Sequence, residues 1–200
     1  DTALMKKVGA VIGTEARAHG VHFGLGPNLD MGLEPRWGRV AETFGEDVYL
    51  TGEMGVAMIK GMQGDDLKSD RSIIAEPKHF AVHGIPQAGA NSSPVLVGER
   101  SARQDFLPSF ENAFKKGGAL GTMCAYSELD GIPCAANHWL LTDVLRKEWG
   151  FKGIVVSDLG AIKYLQVTHF VTGSPKESIQ TAIAAGVDMQ FYDFTNEFWQ

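Results

Sequence analysis

A few side chains in this sequence are of types that do chemistry and stand where packing has little use for them. Asp158 ends the β-branched run Ile154-Val155-Val156. Such a run fills a strand buried on both faces, and a carboxylate at its end packs against nothing apolar. Arg39 lies on a long polar loop, Lys78 and His79 close the run that starts at Ile73, and Met123 and Tyr126 close the run that starts at Gly121. Cationic and hydrogen-bonding groups facing one carboxylate suit a polar, hydroxyl-rich, neutral ligand. They donate to its hydroxyls, and their charge keeps the carboxylate ionised and therefore nucleophilic.

Each residue alone has a plainer reading. On its own stretch, Asp158 is better read as a cap for the following segment than as a catalyst. Arg36 and Arg39 can pair with Glu34, Glu42 and Glu46 in a surface network. Lys78 can lie along a strand edge, and His79 can be a satisfied core histidine. Tyr126 can pack, with its hydroxyl on a backbone carbonyl. Succession favours a site: polar groups close one strand after another, and in a parallel barrel all those ends open on one face. Neighbouring strand residues point to opposite faces, so Lys78 and His79 share a pocket only if the backbone departs from regular geometry. An irregularity is therefore expected between Glu76 and Ala81.

The elements that must hold these groups alternate. Leu4, Val8, Val11, Ile12 and Ala16 recur at helical spacing, and Gly20 ends the pattern. A strand over about 21–25 follows, then a polar loop over 26–39 and a helix over about 47–62. Ile73-Ile74-Ala75 leads into the strand end at Lys78 and His79, and a loop rich in Gly, Asn, Ser and Pro runs to Gly98. A helix over about 99–116 is expected to be interrupted near Pro108. Then come a strand over 121–126, a turn over 130–133, a helix over about 138–149 and the strand ending at Asp158. A variable segment, a helix over about 176–185 and a last strand over 186–190 complete the pattern. Strands separated by helices imply parallel pairing with right-handed crossovers, hence an α/β fold. No Gly-x-Gly-x-x-Gly follows the first strand and no Walker-type loop occurs, so a nucleotide-binding open sheet is disfavoured. The expectation is an incomplete (β/α)8 TIM-type barrel, whose full form takes about 250 residues.

With 200 residues and 44% hydrophobic content the chain can bury a substantial core, and a net charge of −6 without a Lys/Arg block argues against nucleic acid. No apolar run approaches the roughly 18 residues of a membrane span. The opening Asp1-Thr-Ala-Leu-Met-Lys-Lys reads as the inside of an amphipathic helix rather than a signal peptide, so a chain cut from something longer is expected. Cys124 and Cys134 lack the neighbours of a metal site, and a bridge and a free buried pair are equally open. No cofactor is implied.

The motifs taken together resemble a known family. Asp30-Met-Gly-Leu-Glu-Pro-Arg-Trp-Gly-Arg39, Glu42-Thr-Phe-Gly-Glu-Asp47, Lys78-His-Phe80, Leu107-Pro-Ser-Phe110, Met123-Cys-Ala-Tyr126, Asp130-Gly-Ile-Pro133 and Glu148-Trp-Gly-Phe-Lys-Gly-Ile-Val-Val-Ser-Asp158 are similar to the N-terminal barrel domain of glycoside hydrolase family 3, in its order and spacing. The resemblance implies that residues 1–200 are part of one such barrel, that Asp158 is the nucleophile of a retaining mechanism, and that Arg39, Lys78 and His79 hold hydroxyls of the sugar beside the cleaved bond. It implies that Met123 and Tyr126 line the same subsite. A further sugar-binding Asp of the family precedes this chain, and the acid/base Glu comes from a C-terminal α/β-sandwich domain. Without that domain the chain alone is expected to be inactive or nearly so.

Two departures bear on specificity. Leu159 stands where the family often has Trp, and Lys78-His-Phe-Ala-Val-His83-Gly84 lacks the Asp-x-His pair of the N-acetylhexosaminidase branch. His83 is thus expected to position a loop, and a β-glucosidase or exo-glucanase is implied, with a β-xylosidase or a non-catalytic carbohydrate-binding barrel as alternatives. Glu128 and Asp130 read as solvated loop. The resemblance further suggests a periplasmic or secreted protein.

Overall fold

A computed structural model describes residues 1–194; the last six residues of the expected domain lie outside the described residues. Helix α1 (Thr2–Ala18) starts at Asp1, whose carboxylate accepts the Leu4 N–H at 3.0 Å. Helix α2 (Val48–Gln63) starts in the same way at Asp47, which accepts the Leu50 N–H at 2.6 Å. Both caps satisfy amides that a helix start leaves free. The two helices touch backbone to backbone: a Cβ on Gly61 would stand 2.2 Å from the Lys6 carbonyl oxygen, so only glycine permits this approach.

Strand β1 (Phe23–Gly24) pairs in parallel with β2 (Ile74–Ala75), and the ladder continues in a bridge between Asn28 and Lys78. Phe80 bridges Cys124 of β3 (Gly121–Cys124). A small antiparallel hairpin, β4 (Glu128–Leu129) with β5 (Ile132–Pro133), follows. Strand β6 (Ile154–Ser157) pairs in parallel with β3 along its whole length, from Gly121–Ile154 to Cys124–Ser157. Each main strand thus lies beside the next in sequence, which is the order of a TIM-type barrel.

The expected α/β barrel forms with shorter strands than the apolar runs suggest. The last strand expected over 186–190 reduces to one bridge, between Val156 and Met189. There the Asp188 carboxylate takes the Val155 N–H at 2.8 Å, the donor that a ladder partner would otherwise receive.

Around the strands lie α3 (Gly98–Ser101), α4 (Leu107–Lys115), the helix Trp139–Glu148, α5 (Ala161–Val167) and α6 (Pro175–Ala185). The interruption expected near Pro108 is a wide-turned π-helical stretch, Ala102–Phe106, between α3 and α4. Proline brings no N–H to the helix ladder, and a wider turn just before it absorbs the mismatch. Trp139–Glu148 is π-helical as well. Segment 159–174, read as variable, contains α5. The core lies between strands and helices, where Ala75, Phe80, Cys124 and Val155 pack with Phe110, Leu140, Leu145, Ile162 and Ala182. Cys124 and Cys134 are both buried and free.

The backbone irregularity expected between Glu76 and Ala81 is present: the Lys78–His79 and Phe80–Ala81 peptides are cis.

Candidate active site

Asp158 follows directly on β6, and its N–H donates to the Cys124 carbonyl at 3.1 Å. Its Oδ1 accepts the Leu159 N–H at 2.7 Å, whereas Oδ2 is buried and has no hydrogen-bond partner among the described residues. The capping reading is not realised, because the N-cap of α5 is Gly160, which has no side chain to bond the helix start. His79 Nε2 stands 3.7 Å from the free Oδ2. Burial pushes the Asp158 carboxyl above its ordinary value, and His79, the Leu159 N–H, Arg39 and Lys78 pull it down without cancelling that rise. Arg39 and Lys78 therefore moderate the cost of a buried carboxylate rather than depressing its pKa outright.

His79 is 1% exposed and is held on two sides by Asp30. Its backbone N–H donates to Asp30 Oδ1 at 3.1 Å, and its Nδ1 lies 2.7 Å from Oδ2. Burial pushes Asp30 up, but its interactions with His79, hydrogen bonds among them, outweigh it, so the carboxyl ends below its ordinary value. An ionised carboxylate only accepts, which assigns the proton to Nδ1 and leaves the Nε2 lone pair facing Arg39 Nη2 at 3.1 Å. The histidine is thus a satisfied buried residue on one edge and faces Arg39 and Asp158 on the other.

Arg39 forms the expected pair with Glu42 and also reaches Tyr126 and His79. Nε and Nη2 donate to the two oxygens of Glu42 at 2.8 and 2.9 Å, while Nη1 donates to the Tyr126 hydroxyl at 3.1 Å. Arg36 forms the surface pair with Glu34. Tyr126 does not reach a backbone carbonyl: its hydroxyl accepts from Arg39 and from Asn91 Nδ2, which leaves its own proton to donate. Asn91 in turn accepts the Trp37 indole N–H at 2.9 Å.

Lys78 acts by charge on Asp158, Glu76 and Glu42, and among the described residues its ammonium forms no ion pair. Met123 is 1% exposed and brings no polar atom to the cluster; its carbonyl accepts the Phe80 N–H at 2.7 Å and so ties β3 to the irregular stretch. Glu128 lies 3.5 Å from His169, and Asp130 accepts the Val97 and Gly98 N–H groups; the latter is a loop-closing role. Asp30 and Asn91 belong to this cluster as well, and of the two only Asp30 carries a signal in the sequence, as the first residue of the motif that ends at Arg39.

His83 is packed edge-on against Trp37 and Tyr126 and lies 3.4 Å from Arg39 Nη1 and 3.2 Å from Ser127 Oγ. Burial, against the pull of Asp30, lowers its pKa from 6.5 to about 3, so it stays neutral and accepts from the guanidinium. The unfolded chain protonates this group below pH 6.5 and the folded one does not until about 3. Stability is therefore expected to fall as pH drops through that window, by up to about 1.4 kcal/mol per unit from this residue. Urea denaturation at a series of pH values checks it: H83Q should flatten the slope, and an unaltered slope would show that His83 is not its source.

The profile of the glycosyl hydrolase family 3 N-terminal domain matches residues 1–197. The chain belongs to glycoside hydrolase family 3. Among family relatives it is 40% identical to a periplasmic β-glucosidase of Salmonella typhimurium, over 94% of this chain and 24% of that protein. It is likewise 40% identical to a β-xylosidase of Formosa agariphila, over 93% of this chain and 26% of that protein. The crystal structure of a β-glucosidase from Listeria innocua superposes with a TM-score of 0.92 at 38% identity, covering 97% of this chain and 27% of that one. The chain thus spans about a quarter of the length of these family 3 relatives. Among the described residues no helix is long and apolar enough to cross a membrane, and no group of three or more His, Cys, Asp or Glu is arranged to hold a metal ion.

Proposed function

We propose that this chain is the nucleophile-bearing part of a retaining glycoside hydrolase that releases terminal β-linked glucose from β-glucosides or β-glucan oligosaccharides. The observation that carries this reading is Asp158: its Oδ2 is buried and unbonded, with His79 Nε2 3.7 Å away and Arg39 and Lys78 acting on it. A binding module has no use for a desolvated, unpaired carboxylate, whereas an attacking group needs a free lone pair. Asp158 attacks the anomeric carbon, the glycosidic C–O bond breaks, and an acid carboxyl about 5–5.5 Å away gives its proton to the departing oxygen. Water then hydrolyses the glycosyl-enzyme, with the same acid group acting as base.

Arg39, Lys78, His79 and Tyr126 donate to or accept from the sugar hydroxyls, and Met123 supports the subsite from β3. Of the carboxylates around Asp158, Asp30 is bonded to His79 and Glu42 to Arg39, while Glu76 is fully buried. The acid/base therefore falls to a Glu of a C-terminal α/β-sandwich domain, with residues 1–200 forming part of one (β/α)8 domain. The xylosidase relative supports a second reading in which the sugar is β-linked xylose. The name of the Salmonella relative supports a periplasmic or secreted protein.

Treating the full-length protein with a 2-deoxy-2-fluoro β-glucosyl fluoride, and in parallel the xylosyl reagent, followed by intact mass and peptide mapping, tests this. A label on the peptide containing Asp158 is expected, and the faster reagent names the sugar. A folded, sugar-binding protein that takes no label on any carboxylate would instead be a scaffold or carbohydrate-binding barrel.

A further inference from the structure

Glu76 is fully buried, and among the described residues neither of its carboxyl oxygens has a hydrogen-bond partner. Its backbone is fixed to β1 by N–H bonds to the carbonyls of Gly24 and Gly26 at 3.1 and 2.8 Å. Ala75 packs in the core between strands and helices, so the next side chain faces the other way, into the barrel. Val156 and Asp158 share a face by the same alternation along β6 and its continuation. The charged groups that act on Glu76 among the described residues are Lys78, which attracts it, and Asp158, which repels it. Lys78 approaches neither closely enough for an ion pair.

A carboxylate with no donor in a dry interior is strongly disfavoured, and a neutral acid is far less so. Burial accordingly pushes Glu76 up to about 8. Its position rules out service to the leaving group: it precedes Lys78 along the chain, farther from the barrel mouth, and has no exposed surface. Ionised, it would draw the Lys78 ammonium inward and set a second negative charge against Asp158.

We propose that Glu76 is a positioning residue that remains protonated in the working enzyme, leaving the Lys78 ammonium to Asp158 and the sugar. This rests on the glycosidase reading.

The test uses the full-length protein and 2,4-dinitrophenyl β-glucoside or β-xyloside. Their leaving group departs without a proton, so the acid/base residue does not set the alkaline limb. Wild-type kcat/KM is expected to fall above pH about 8, approaching tenfold per unit, as Glu76 ionises. E76Q, the isostere of the neutral acid, should run level through that range, and E76M, which also lacks the charge, should follow it. The same alkaline limb in E76Q, or folded E76Q and E76M inactive at every pH, overturns the proposal. An infrared difference spectrum of wild type minus E76Q at neutral pH reads the proton directly: a carboxylic acid carbonyl band is expected, and a carboxylate band in its place sinks the idea. If wild type turns over neither glycoside, the glycosidase reading fails and the infrared spectrum alone decides the state of Glu76.

Discussion

Asp158→Asn is expected to lower kcat/KM of the full-length protein by at least about 10⁴-fold, the scale on which an enzyme loses activity with its nucleophile. The same variant should melt at the wild-type temperature or above it. Asp158 has one oxygen bonded to the Leu159 N–H and the other buried without a partner, so the charge is a burden on the fold that asparagine removes. Loss of activity with retained or increased stability separates a reacting group from a structural one. Asp158→Gly with added azide gives a further readout. The small anion enters the space of the lost carboxylate, attacks the anomeric carbon from the same face and yields an α-glycosyl azide, provided the leaving group needs no proton. If Asp158→Asn keeps more than about a hundredth of wild-type activity, another residue attacks and the proposed mechanism fails.

Much of this arrangement was legible in the sequence because the costly residues fall at regular places. Asp158 after Ile154-Val155-Val156 marks a strand end without any structure in hand, and the adjacency of Lys78 and His79 forces a backbone irregularity if both serve one pocket. The parallel order followed from strict alternation of strand and helix patterns. Apolar runs overstate strand length, however, since they report burial rather than pairing: 21–25 reads as a strand, but only Phe23–Gly24 pairs. The π-helical turns leave no periodic signature, because their apolar spacing stays close to that of an α-helix.

The supporting shell was harder to see for a different reason. Asp30 and His79 are 49 positions apart and Asn91 and Tyr126 are 35 apart, so their pairing depends on how β1, β2 and β3 come together. In the sequence Glu76 stands out only as the start of the stretch expected to be irregular. Its distinction is the absence of partners, a property of the assembled barrel interior and not of the residue.

Asp30→Asn is the second variant with a large expected effect, about 10²-fold in kcat/KM, the loss typical when the group orienting a functional histidine is removed. Asp30 accepts two hydrogen bonds from one residue, the backbone N–H and the Nδ1–H of His79, on its two oxygens. Asparagine has a single oxygen, so one of those donors then meets the amide NH₂. If the ring yields, its proton moves to Nε2, which turns an N–H toward Arg39 Nη2 where a lone pair now accepts. Two donors face each other, Arg39 shifts, and its bond to Tyr126 weakens with it. If the backbone yields, the Lys78–His79 stretch moves away from Asp158. Either route also leaves a buried donor unpaired, which costs about 1–3 kcal/mol of stability. Nitrogen NMR of the His79 ring distinguishes the routes: wild type should carry its proton on Nδ1, and the variant should show Nε2–H or a shifted backbone amide. An Asp30→Asn protein with wild-type kcat/KM and an unchanged Nδ1–H signal would mean that packing against His83 and Tyr126, not Asp30, sets the orientation of His79.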